Sequence, residues 1–210
     1  MKKVFLTIVA CAFAFVCAQA QNSAVETASQ LTKAEQFKAR NGFIKETTIY
    51  EDKTSGQKLY AKLFTDLQTG EQLIALEFWP TLGQKLLTGG LMNATGNVTS
   101  PIVAPLGYLD MDQVDDLLLA LDKILTEYNN SDKKDKFSIT YTAIGGIDVF
   151  FVKEFGTVTF RKKWHKTDEY GTQTVVYSEA TSSLMIANLS KLIASIKEAQ
   201  TIANQALEKK

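Results

Sequence analysis

The amino-acid sequence predicts an α+β protein in which antiparallel sheets carry amphipathic helices on one face. The first observation is a series of short segments whose apolar residues alternate at period two, separated by turns rich in Gly, Asn and Asp. The second is a pair of long segments whose apolar residues recur at three and four positions. The third is their order. Strands then a helix occur twice, which divides the chain into units at 44–130 and 131–210. The competing arrangement is a single domain over 44–210, one large meander with two helices packed on it.

The chain of 210 residues opens with MKKVFLTIVACAFAFVCAQA. Lys2 and Lys3 form a positive start, Val4 to Cys17 is apolar apart from Thr7, and Ala18-Gln19-Ala20 supplies small residues for a peptidase. Residues 1–20 therefore read as a signal peptide, and a periplasmic or secreted location is expected. The apolar run is about 14 residues, short of the roughly 20 that a spanning helix requires, so no stable membrane insertion is expected. Cleavage after Ala20 removes both Cys11 and Cys17. The remainder then has no disulfide, no thiol nucleophile and no cysteine metal ligand. Losing Lys2 and Lys3 takes the basic count from 23 to 21 against 23 acidic residues, a net charge near −2. Such a charge gives no bulk attraction to nucleic acid or to an anionic membrane.

Residues 21–43 read as a flexible lead and a short helix. Thr32-Lys33-Ala34-Glu35 has the spacing of a capping box, in which hydroxyl and carboxylate each satisfy a backbone N–H of the other. The helix is expected to reach Arg40 and stop at Asn41-Gly42. In the first unit, Ile44 to Tyr50 is β-branched, Leu59 to Phe64 alternates, and Leu73 to Trp79 is apolar enough for a central strand. Asp52–Gly56 and Gln68–Glu71 are turns. Residues 80–101, with Pro80, Gly83, Gly89, Gly90, Gly96 and Pro101, form a long irregular connection. Ile102 to Leu109 is a strand that Pro105 confines to an edge or a bulge. A helix is expected from Met111 to Tyr128, with Val114, Leu117, Leu118, Leu121, Ile124 and Leu125 on its apolar face.

The second unit begins with the solvated turn Asn129–Lys136. Phe137, Ile139, Tyr141 and Ala143 alternate with polar residues, Gly145-Gly146 turns the chain, and Ile147 to Glu154 returns it. Val158, Phe160, Lys162 and Trp164 alternate with Thr157, Thr159, Arg161 and Lys163. Thr172 to Ser178 is a fourth strand. A helix is expected from Thr181 to Leu207, with Met185, Leu189, Leu192, Ile193, Ile196, Ala199, Ala203 and Leu207 on one face. A shift of 75 places Val114-Asp115-Asp116-Leu117-Leu118 over Leu189-Ser190-Lys191-Leu192-Ile193 and Leu121 over Ile196.

In element order alone the chain resembles the duplicated sheet-plus-helix folds of the Pur-alpha and Whirly single-strand nucleic-acid binders. The export signal argues against the nucleic-acid binding that this resemblance implies. Through Tyr108-Leu109-Asp110-Met111-Asp112-Gln113-Val114-Asp115-Asp116-Leu117 the chain also resembles uncharacterised families of small exported bacterial proteins, which imply no activity.

The residues that could carry chemistry are few. His165 is the only histidine and sits among Lys162, Lys163 and Lys166; it reads as a surface residue. With no mature cysteine, a zinc site is not expected. Asp110, Asp112, Asp115 and Asp116 form the one dense carboxylate group. Calcium would suit oxygen ligands, but the stronger expectation is that Asp112 caps the following helix and Asp115 sits at its third position. Glu77 interrupts an apolar strand and is expected to face solvent. Ser138, Thr140, Thr142, Thr157, Thr159, Arg161 and Lys163 share one outer face, flat, polar and slightly basic, which could receive an acidic partner or a glycan. No cofactor motif is present: neither Gly89-Gly90 nor Gly145-Gly146 is followed by the residues of a phosphate loop. The expected function is a non-catalytic exported binding or interaction protein, with a protein, glycan or small ligand as partner and no nucleic acid. The alternative is a hydrolase using Glu77, Asp110 and His165 around the 80–101 connection.

Overall fold

Period-two alternation becomes two four-stranded antiparallel sheets in the computed structural model, which describes residues 31–81, 105–167 and 173–208. The leader at 1–20 and most of the 80–101 connection lie outside the described residues. The first sheet has the order β1 (Ile44–Glu51), β2 (Lys58–Asp66), β3 (Gln72–Trp79) and β4 (Gly107–Asp110). The second has the order β5 (Ser138–Thr142), β6 (Ile147–Val152), β7 (Thr157–Thr167) and β8 (Gln173–Met185). The helices are α1 (Lys33–Lys38), α2 (Val114–Asn130) and α3 (Leu189–Glu208). Residues from Thr32 onward belong to one compact unit. Among the described residues no helix is long and apolar enough to cross a membrane.

One face of each sheet lines a shared core. Leu59, Ala61, Leu76, Phe78 and Leu109 come from the first sheet; Ile147, Val149, Phe151, Val158 and Phe160 come from the second. Phe78 of β3 stacks on Phe160 of β7 with ring centroids 5.3 Å apart. The long helices cross over: α2 meets β5, α3 meets β1 and β2, and the two helices meet each other. Each strands-then-helix unit therefore covers its apolar face partly with the other unit's helix. Leu192 and Ile196 are fully buried there, which should stabilise by roughly 1.5–3 kcal/mol each.

The repeat is sharpest at the strand-to-helix junctions. β4 ends at Asp110, a 3-10 turn covers Met111–Gln113 and α2 starts at Val114. β8 ends at Met185, a 3-10 turn covers Ile186–Asn188 and α3 starts at Leu189. Each boundary in the second unit lies 75 positions after its counterpart, the shift that aligns the apolar stripes.

Two sequence expectations change here. The last helix does not begin at Thr181, because Thr181 to Met185 extends β8 against Arg161 to Thr157. Thr181, Ser183 and Met185 alternate with the buried Ser182 and Leu184, which is strand periodicity. The spacing of Met185 and Leu189 imitates a helical stripe across the junction. Asp112 also fails to cap α2. That helix runs on from the 3-10 turn through Gln113, whose backbone is already helical, and Val114 N–H bonds Met111 C=O. The extended position ahead of the 3-10 turn belongs to Asp110, whose side chain makes no capping bond there, so no N-cap position falls to Asp112.

The turn between β5 and β6 depends on glycine. Gly145 and Gly146 have φ of +84° and +83°. A Cβ on the first would collide with the Thr32 side chain, and one on the second with the Lys163 carbonyl. Beyond Ile147, which pairs with Lys162, β7 continues with β8 alone as a two-stranded arm. Trp164 lies on that arm and is exposed, outside the core that its alternation with Phe160 suggested.

Candidate binding surface

The outward faces of the two sheets differ. That of the first sheet is closed by α1. Thr32 and Glu35 form the expected capping box, with Glu35 N–H donating to Thr32 Oγ1 at 3.1 Å and Thr32 N–H to Glu35 Oε2 at 3.0 Å. The two N–H groups that this box leaves, on Lys33 and Ala34, donate to the Asp110 carboxylate at 2.7 and 3.1 Å. The free donors of this helix start are thereby satisfied. Ala34 and Phe37 then bury themselves against Phe64, Ala75 and Tyr108. Lys162 of the second sheet reaches Glu35 at 2.8 Å.

Beside α1, charged side chains close a ring on the same face. Lys38 Nζ donates to Tyr108 OH at 2.6 Å and to Glu46 Oε2 at 3.1 Å. Lys62 Nζ lies 3.2 Å from Glu46 Oε1 and 3.4 Å from Glu77 Oε2. Tyr108 OH donates to Glu77 Oε1 at 3.0 Å and Trp79 Nε1 to Glu77 Oε2 at 2.7 Å. Glu77 points away from the core, as alternation requires, yet it is only 2% exposed. The expectation of a solvent-facing carboxylate is corrected. What the sequence hid is that Tyr60 and Tyr108 flank it in register and that Lys62 and Trp79 reach over it. Burial and then the negative charge of Glu77 push the Tyr108 hydroxyl far above the usual phenol range. It is therefore a hydrogen-bond donor at any working pH. Burial pushes Glu46 up, but the hydrogen bonds and charges of Lys38 and Lys62 outweigh it and hold the carboxyl below its ordinary value.

A second polar group, unmarked in the sequence, fastens the β1–β2 turn to α3. Asp52 accepts from Thr54 N–H at 2.8 Å, from Ser55 N–H at 3.2 Å, from the Ser55 hydroxyl and from Ser195 Oγ at 2.8 Å. Burial raises the Asp52 carboxyl and these donors, Ser55 first, more than reverse the effect, so it sits below its usual value. A carboxylate so loaded with donors is a poor base. The group is a staple.

The residues of the hydrolase reading are not gathered. Glu77 and Asp110 lie on adjacent strands but serve the ring and α1. His165 stands on the arm of the other sheet, opposite Val175, and its side chain makes no hydrogen bond or ion pair among the described residues. The aspartates of the calcium reading diverge as well. Asp110 holds α1, Asp112 pairs with Lys33 at 2.6 Å, and Asp115 accepts from Gln200 at 2.9 Å. Among the described residues no group of three or more His, Cys, Asp or Glu is placed to hold a metal ion.

The outward face of the second sheet is uncovered by any described element. Its cross-strand rows are Ser138–Val152–Thr157–Met185, Thr140–Phe150–Thr159–Ser183 and Thr142–Asp148–Arg161–Thr181. Hydroxyl side chains dominate the rows. Thr159 bonds Ser183 at 3.0 Å and Thr142 donates to Asp148 at 2.7 Å. Ser138, Thr140 and Thr181 use no side-chain hydrogen bond among the described residues. The face is less basic than the sequence suggested. Arg161 Nε donates to the fully buried Asp148 at 2.7 Å, and the guanidinium lies 3.7 Å from the Tyr177 ring centroid. The predicted residues Ser138, Thr140, Thr142, Thr157, Thr159 and Arg161 do come together here, and Lys163, past an irregularity in the β7–β8 register, reaches the same face by donating to Thr142 Oγ1 at 3.4 Å. Asp148, Phe150, Ser183 and Met185 were missed, although register with β5 and β7 would have placed the first two.

Compared with known proteins, the chain matches no family model, no curated protein and no solved structure.

Proposed function

We propose that this protein is an exported, non-catalytic binding module that receives a glycan on the outward face of its second sheet. The leader at 1–20 supports export. The observation that carries the rest is the open grid of hydroxyls on β5 to β8. Neighbouring strands place such groups about 4.8 Å apart. Each Ser or Thr hydroxyl can donate and accept at once, as sugar hydroxyls do. A protein-docking surface would centre on exposed aromatic and apolar anchors, whereas Phe150 and Val152 at the middle of these rows are half-buried among threonines and the exposed Met185 stands at the β8 edge. An acidic partner has only Lys163 beside Thr142 to attract it, because Asp148 neutralises Arg161. The hydrolase alternative has no observation in its favour.

The reading is tested on an array carrying matched neutral and sulfated oligosaccharides. Binding is expected, and Ser138→Ala with Thr140→Val, at two exposed side chains that make no hydrogen bond among the described residues, should abolish it without moving the melting temperature. A chain that binds no sugar, or a double variant that binds like the parent, would overturn the reading.

A further inference from the structure

Just past the Ser138–Val152 end of this face, where β5 and β6 stop, Lys136 and Glu154 form an ion pair at 3.1 Å. This pair also borders a hollow of about 520 Å3 between the end of α2 and the β6–β7 turn, lined by Lys133, Lys134, Lys136 and Lys153 with Asp135 and Glu154. The volume falls in the range of roughly 300–1,000 Å3 occupied by small-molecule sites.

Lys153 is the unusual member. Its side chain is only 8% exposed, and the carboxylate paired with it, Asp135, stands 4.0 Å away. Its ammonium lies 5.4 Å over the Phe137 ring centroid and donates to the Asp132 carbonyl. An ammonium has three N–H donors, and a buried cation is costly until it is both paired and hydrogen-bonded. Lys153 is partly provided for on both counts. Among the described residues Lys133 and Lys134 make no ion pair at all. The hollow therefore presents a held cation at its wall, two free cations at its rim, and carboxylates already committed to Lys136 and Lys153.

We infer that this hollow binds an oxyanion (a sulfate, phosphate or carboxylate group) and that the glycan received by the adjoining face carries one. The second half of that inference rests on the glycan reading; the first half does not. Charge-assisted hydrogen bonds from lysine to such a group are the strong kind.

The experiment titrates the full chain with sodium sulfate, sodium phosphate and sodium acetate at low ionic strength, following amide and lysine resonances by NMR. It then repeats the array of matched neutral and sulfated oligosaccharides. Saturable binding of at least one anion is expected, weakened about tenfold or more in Lys133→Glu/Lys134→Glu. Both changed side chains are exposed, so that variant should keep its melting temperature. Lys153→Met should weaken binding further, and Thr140→Val should leave anion binding unchanged. Anion binding that is indifferent to the lysine variants, or absent, would overturn the inference. If neutral and sulfated sugars bind equally and no anion titrates, the hollow fails while the glycan reading stands. If the anions titrate as described and no sugar binds, the hollow stands and the glycan reading fails.

Discussion

The two sheets share one topology and opposite fates for their outward faces. Shifting by 75 puts Asp110 over Met185 and Tyr108 over Ser183. On the first sheet Asp110 grips the start of α1 and Tyr108 anchors the charge ring. On the second, Met185 is 54% exposed, and Ser183 bonds Thr159 beside it with its hydroxyl and Thr81 with its backbone N–H. The backbone is repeated; the side chains at matching positions decide whether a face binds its own chain or stays open. The difference teaches that the N-terminal helix is part of the first sheet's architecture, and that the second face is where the molecule has surface to offer.

The strongest test of the comparison asks whether the halves are separable at all. Because α3 lies on β1 and β2, Leu192→Ala should lower stability by about 2–5 kcal/mol. The loss should appear in both sheets at once. Trp79 reports on the first sheet and Trp164 on the second, so single-tryptophan variants can be followed by fluorescence in urea. Coincident transitions that shift together are expected. Two separated transitions, with only one moved by Leu192→Ala, would show that the sheets fold as independent units.

A smaller effect separates the aspartates. Asp110→Ala should cost about 1–3 kcal/mol, since it strands the Lys33 and Ala34 N–H groups beneath α1. Asp112→Ala should leave the urea midpoint where it was, because its partner Lys33 is on the surface. The reverse ranking would restore Asp112 as a cap and remove Asp110 as the device that distinguishes the first face from the second.

Much of this was legible from local patterns. The Thr32–Glu35 box, the strand alternations and the α2 stripe depend on neighbours in sequence, and they appear close to where the patterns put them. The identity of the outer-face residues Ser138 to Thr159 was legible for the same reason. What was hidden depends on register and on partners far away in the chain. Asp110 acts on Lys33 across 77 positions, and Ser195 reaches Asp52 across 143. Glu77 is covered by side chains from β2, β3 and β4, so no local window could show its burial. The Thr181 error arose because a strand ran directly into a helix with no glycine or proline between them.

The last expectation concerns acid, and it turns on the closed face. Glu46 and Asp52 both belong to the first unit, and both carboxyls lie below their ordinary values in the folded chain. A depressed carboxyl contributes stability that is fully present above its unfolded pKa, about 4 for these residue types. That contribution is lost as pH falls through the lower folded pKa, because the folded state must then take up protons against Lys38 and Lys62, or against Ser55, Thr54 and Ser195. The urea midpoint should therefore stay level from pH 7 to about pH 5 and decline below about pH 4. Glu46→Gln cannot ionise, so it should begin lower at neutral pH and lose less on acidification. The open face predicts the opposite behaviour: Thr159→Val should shift the whole curve without changing its slope. If Glu46→Gln declined as steeply as the parent, the ring would not be the acid-sensitive element, and the contrast between a closed, charge-held face and an open, hydroxyl-lined one would lose its electrostatic half.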